Sequence, residues 1–133
     1  MVSKINRIGI NLAILALTLT PYSSQAAKPP TQVGRCSETF VARVGTRLVG
    51  ETGQPIASSG TSISFTNGIY LVSYDTVSAV QASKLKDKVK MCLNSVPKNC
   101  PPGDNRGKVY KVMNYRTGGR FTMSDSQHSC GGA

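Results

Sequence analysis

The densest grouping of reactive side chains is Asp125-Ser126-Gln127-His128-Ser129-Cys130, close to the carboxyl end. Asp, Ser and His are the types used in nucleophilic hydrolysis, where a histidine sits between a hydroxyl and a carboxylate. His128 is the sole histidine, so a small hydrolase or transferase in this chain would work through His128 with Asp125. Such a site also needs oxyanion donors and a nucleophile held in reach, and no GxSxG-type elbow accompanies the grouping. The same residues also read as a polar terminal segment pinned at Cys130, with His128 partly buried or hydrogen-bonded. That second reading is the stronger, because short Asp/Ser/His groupings arise often outside enzymes. A single histidine and the lack of any CxxC pair give no zinc pattern, so neither a metal nor another cofactor is expected.

A second dense string is CPPGDNRG, Cys100 to Gly107. Two prolines stiffen its entry, Gly103 and Gly107 permit tight turns, and Asp104 can hydrogen-bond its own backbone. As a binding loop it would offer Arg106 and backbone amides to an anion or carboxylate. As a structural turn, Asp104 and Arg106 would pair with each other. No GxxxxGK[ST] string makes it a phosphate loop.

The third candidate is charge. Lys84, Lys86, Lys88 and Lys90 alternate along the chain, and Lys108, Lys111, Arg116 and Arg120 could extend one basic surface. A surface of this kind attracts anionic polymers or acidic proteins. Nucleic-acid modules usually add stacking aromatics to the basic face, whereas Phe65, Tyr70 and Tyr74 are expected in the core, so no nucleic acid is expected as a partner.

These groups must be positioned by short strands and turns. In TSISFTNGIYLVSYD, Thr61 to Asp75, Asn67-Gly68 is a hairpin signal, since both residues tolerate positive φ. A two-residue turn there pairs Phe65 with Tyr70 and Ile63 with Val72, and puts Ile63, Phe65, Tyr70, Val72 and Tyr74 on the core face. A second hairpin around RTGGR is expected to use a three-residue turn, Thr117 to Gly119 with Gly119 left-handed, pairing Tyr115 with Phe121 and Met113 with Met123. Glu38 to Leu48 reads as an early strand, alternating Phe40, Ala42 and Val44 against Val41 and Arg43. From Thr76 to Ser83 a short helix or turn is expected. A strand then starts at Lys88, with Val89, Met91 and Leu93 inward and Lys88, Lys90, Cys92 and Asn94 outward. The expected fold is therefore mainly β: a small antiparallel barrel or sandwich of about 5–6 short strands with at most one short helix.

The beginning of the chain has a different character. Lys4 and Arg7 precede a mostly apolar run from Ile8 to Leu19, Pro21 follows, and Ser24-Gln25-Ala26 has small residues at the positions a signal peptidase reads. Residues 1–26 are thus expected to be a cleaved export signal, 27–35 a flexible lead-in, and 36–133 one disulfide-bonded domain. No transmembrane segment is expected after cleavage, because the apolar run falls short of the roughly 20 residues that span a bilayer. Of 133 residues, 16 are Lys or Arg and 6 are Asp or Glu, a formal charge of +10. Removing Lys4 and Arg7 leaves about +8 on a domain of about 107 residues, so the basicity belongs to the folded part.

Export favours oxidised cysteines, and four of them make two disulfides that would stabilise a modest core. Spacing allows three pairings of Cys36, Cys92, Cys100 and Cys130. The short interval between Cys92 and Cys100 favours joining those two, which leaves Cys36 with Cys130.

The strings CPPGDNRGKVY, NYRT and DSQHSCGGA resemble those of small exported bacterial proteins of unknown function, over residues 92–133. The resemblance implies a secreted two-disulfide domain and brings no activity or site residues with it. The functional expectation is a non-catalytic binding or envelope-interaction module, periplasmic or secreted. Its basic surface would meet an anionic envelope component or an acidic protein.

Overall fold

The computed structural model describes residues 16–19 and 27–132. The expected export signal therefore lies outside the described residues, apart from 16–19, which carry no regular structure. No helix among the described residues is long and apolar enough to cross a membrane.

Six antiparallel strands close into a barrel: β1 (Cys36–Thr46), β2 (Thr61–Phe65), β3 (Tyr70–Ser73), β4 (Lys88–Ser95), β5 (Val109–Asn114) and β6 (Arg120–Ser124). Around the barrel the order is β1, β2, β3, β6, β5, β4, and β4 pairs back to β1. Of the two architectures left open by the strand pattern, the molecule is the barrel. A four-residue helix, α1 (Ser78–Gln81), lies inside the expected 76–83 segment and sends Val80 into the core.

The interior is filled by alternate residues from every strand, among them Val41, Ile63, Leu71, Val89, Met91, Leu93, Val112, Phe121 and Met123. In β4 the alternation is as expected, with Val89, Met91 and Leu93 buried between outward Lys88, Lys90 and Cys92. Closure is uneven around the ring: β4 and β5 share a long ladder, while β3 and β6 touch through one pair, Val72 with Ser124.

Both hairpins depart from their expected registers. Ser64 pairs with Tyr70 and Ile63 with Leu71, one residue away from the two-residue-turn register. Phe65 donates its N–H to the Ile69 carbonyl, so the turn holds three residues, Thr66 to Gly68, with Gly68 at φ +88°. A one-residue shift exchanges faces. Leu71 is therefore 0% exposed, and Tyr70 and Tyr74, expected in the core, are 42% and 53% exposed.

At the second hairpin Val112 pairs with Phe121 and Tyr110 with Met123. Asn114 N–H donates to the Gly119 carbonyl, and Gly118 rather than Gly119 is left-handed. The extra loop residue follows from Asn114, whose side-chain oxygen accepts the N–H groups of Arg116 and Thr117. Met113 and Tyr115 accordingly face outward. In β1 a bulge between Val41 and Arg43 breaks the simple alternation, Thr39 and Val41 are buried, and Phe40 is exposed.

The disulfides are Cys36–Cys92 and Cys100–Cys130, which corrects the pairing favoured by spacing. The reason is the sheet: Cys36 and Cys92 are direct register partners across β1 and β4. Residues 28–35 are attached to the barrel. Gly34 N–H donates to the Leu93 carbonyl, Leu93 N–H to that of Arg35, and Pro30 is buried.

Candidate functional site

The Asp125–His128 grouping does not assemble as a relay. Asp125 Oδ1 accepts the N–H groups of Gly107 and Lys108 at 2.8 and 3.1 Å, so this carboxylate shapes the chain entering β5. His128 is exposed, which corrects the expectation of partial burial, and the Ser126 hydroxyl is bonded to the His128 carbonyl rather than its ring. Among the described residues nothing joins the Asp125 carboxylate to the His128 imidazole.

The CPPGDNRG string is occupied by its own contacts. Asp104 and Arg106 form a two-point pair at 2.9 Å each, Gly131 N–H donates to Asp104, and Arg106 donates to the Gly132 carbonyl. The Arg106 guanidinium, with Gly131 N–H second, holds the Asp104 carboxyl well below the usual carboxylate range. Cys100–Cys130 closes the same corner covalently. Arg106 is thus committed to the fold, and the turn reading of this string describes its geometry.

The basic residues divide into committed and free. Arg116 belongs to the first group: it bonds buried Asp87 at 2.6 and 2.8 Å and the Ala82 carbonyl at 2.8 Å. Asp87 also accepts from the Asn114 side chain at 2.8 Å and from Lys84 N–H at 2.8 Å. Arg116 chiefly, with Asn114 and the Lys84 amide, holds the Asp87 carboxyl far below its ordinary value against the opposing effect of burial. Lys88 is committed too, paired at 2.8 Å with Glu38, whose other partner is the Tyr115 hydroxyl at 2.9 Å. Lys88 and then Tyr115 lower the Glu38 carboxyl, and Glu38 raises Lys88.

Lys84 and Lys86 lie in the turn before β4, with Lys86 at φ +71°, so the four alternating lysines do not form one strand face. Only Lys88 and Lys90 stand outward on β4. What the fold assembles instead crosses three strands. Lys90 pairs with Met113 and Met113 with Arg120, while in the next row Cys92 pairs with Lys111 and Lys111 with Thr122.

These residues line an open groove of about 680 Å³ on the outer face of β4, β5 and β6. Its lining holds three cations, Lys90, Lys111 and Arg120, around Met113 and Cys92, and no carboxylate. Among the described residues none of the three has an ion-pair partner. Neighbouring strands are about 4.8 Å apart, so Lys111 lies one strand from each of Lys90 and Arg120, which are two strands from each other, and Lys90 also faces Glu38 across β1 and β4. Sequence reading found Lys90 and named Lys111 and Arg120 only as possible extensions, because their convergence depends on the β5–β6 register. No group of three or more metal-ligating side chains occurs among the described residues.

Neither a family model, nor a curated protein, nor a solved structure matches this chain.

Proposed function

We propose that the chain is a non-catalytic binding module that presents the outer face of β4, β5 and β6 to an anionic component of the cell envelope. One observation carries the reading: Lys90, Lys111 and Arg120 converge on a groove whose lining includes no carboxylate. Lys90 faces Glu38 across β1 and β4, but no carboxylate stands opposite Lys111 or Arg120 in the β5–β6 ladder; like charges on adjacent strands cost stability, and an anion in the groove offsets that cost. Met113 and the Cys36–Cys92 bridge add apolar surface between the cations, which suits a ligand with both a charged and an apolar part. The two disulfides and the signal-like pattern of residues 1–26 support an oxidising compartment outside the cytoplasm.

The test is co-sedimentation of residues 27–133 with phosphatidylcholine vesicles with and without phosphatidylglycerol. Binding should require phosphatidylglycerol, fall steeply as salt is raised, and be lost in the triple variant Lys90→Ala, Lys111→Ala, Arg120→Ala. Binding that survives the triple variant, or no binding to anionic vesicles, overturns the proposal.

A further inference from the structure

On the opposite side of the barrel a second groove has a different chemistry. Arg43 of β1 pairs with Ser64 of β2, and Ser64 with Tyr70 of β3, so the three form one outward row. The adjacent row is Gly45, Ser62 and Val72. The small side chains in these rows leave a depression of about 360 Å³. Tyr70 borders it, and so does the loop that follows β1.

That loop is an ordered wall. Val49 bridges Pro55, and Gly50 exchanges backbone bonds with Gln54 and Gly53. Arg47 anchors its base, bonding the Ser59 carbonyl and the Gln127 side chain.

The groove offers three kinds of contact. Arg43 is exposed and has no ion-pair partner among the described residues. The Tyr70 ring is a partly exposed flat surface. Ser64 provides a hydroxyl with no hydrogen bond among the described residues, whereas Ser62 is already bonded to the Thr46 carbonyl at 2.8 Å.

A guanidinium and a flat ring two strands apart, with a free hydroxyl on the strand between them, suit a pyranose bearing a carboxylate. The electron-rich face of the ring attracts the C–H face of the sugar, and a guanidinium binds a carboxylate through two parallel hydrogen bonds. Single-stranded nucleic acid would need successive rings along the groove. The neighbouring tyrosine cannot extend the platform on that face, because the Arg47 guanidinium lies 4.3 Å from the centre of the Tyr74 ring.

We propose that this groove binds a uronic-acid unit of an acidic polysaccharide, its carboxylate on Arg43, its ring against Tyr70 and a hydroxyl on Ser64. The proposal uses none of the residues of the basic face on β4, β5 and β6 and stands or falls apart from it.

The experiment is calorimetric titration of the protein with tetragalacturonic acid and with its methyl ester, in about 0.3 M salt so that diffuse attraction is screened. The free acid should bind at least about tenfold more tightly than the ester, the difference expected when a charge-assisted pair is lost. Arg43→Gln and Tyr70→Ala should each weaken the acid about tenfold, and Tyr70→Phe and the triple variant of the basic face should leave it unchanged. Both single changes are at exposed positions, and an unaltered melting temperature verifies that the variants are folded. Equal binding of acid and ester, no binding, loss of binding only in the triple variant, or displacement of the sugar by oligothymidylate at lower concentration would each overturn the assignment.

Discussion

Two Asp–Arg pairs, alike in chemistry, sit in opposite circumstances. Asp87 and Arg116 meet between the turn after α1 and the β5–β6 loop, with the carboxylate buried and further bound by Asn114 and the Lys84 amide. Asp104 and Arg106 meet at the surface, two residues apart, in a corner already closed by Cys100–Cys130. The first pair joins distant parts of the chain and has no covalent help. The second lies where a disulfide has already done the joining. An ion pair should therefore matter most where it is the only tie and where its carboxylate has lost water, and least where it duplicates a bond at the surface.

The largest effect should come from removing the covalent tie. Cys100→Ser with Cys130→Ser opens a loop with a sequence separation of 30, for which chain entropy predicts a loss of about 3–4 kcal/mol. Urea unfolding measures it, and a loss no greater than that of Asp104→Asn would show that the clasp, not the disulfide, holds the corner. Asp87→Asn should follow, at about 2–3 kcal/mol, because Arg116 and Asn114 lose their shared acceptor beside the core. A change within error would mean that Arg116 is satisfied by water and the Ala82 carbonyl alone.

Acid separates the same two regions. A carboxylate whose pKa is lowered on folding contributes stability that is present above its unfolded value, near 4, and is lost progressively as pH falls below it. The wild-type protein should lose stability below about pH 4. Asp87→Asn should flatten that slope more than Asp104→Asn, and equal flattening would erase the distinction between the regions. Asp104→Asn at neutral pH should barely move the melting temperature while the disulfide is intact. His128→Ala should have the smallest effect of all on stability, since its ring is exposed; a large drop in melting temperature would assign that ring a structural role.

The contrast also bears on function. Taking Arg106, Arg116 and Lys88 out of the pool of free cations leaves Lys90, Lys111 and Arg120 together on one face. The strand class and the inward alternation of β4 were legible in the sequence, because a period of two is a local property. Hairpin registers were not, since Asn67-Gly68 serves a two-residue turn and the last positions of a three-residue turn equally well. That single residue of slip decided whether Tyr70 was core or surface, and with it removed the sequence-level argument that no aromatic stands beside a basic group. Disulfide pairing was hidden for a related reason. Cys36 and Cys92 become neighbours through the β1–β4 ladder, which joins segments 56 residues apart.

Gly60 illustrates a different constraint. At φ +113° its backbone passes so close to β3 that a Cβ would fall 2.1 Å from the Ser73 carbonyl oxygen. A side chain there pushes directly on the strand that closes the barrel.

The joint between β3 and β6, resting on Val72 and Ser124, gives the barrel a preferred line of opening. Local opening there needs few backbone bonds to break, so the β3 and β6 amides that face the seam should exchange ahead of those in the β4–β5 ladder. When it opens, the ring becomes a curled sheet with two bare edges, a state prone to pairing with another chain. The same line divides the surface: the Arg43–Tyr70 groove lies on one side of it and the Lys90–Arg120 groove on the other. Breathing at this seam would thus change the angle between two intact surfaces without disturbing the register inside either.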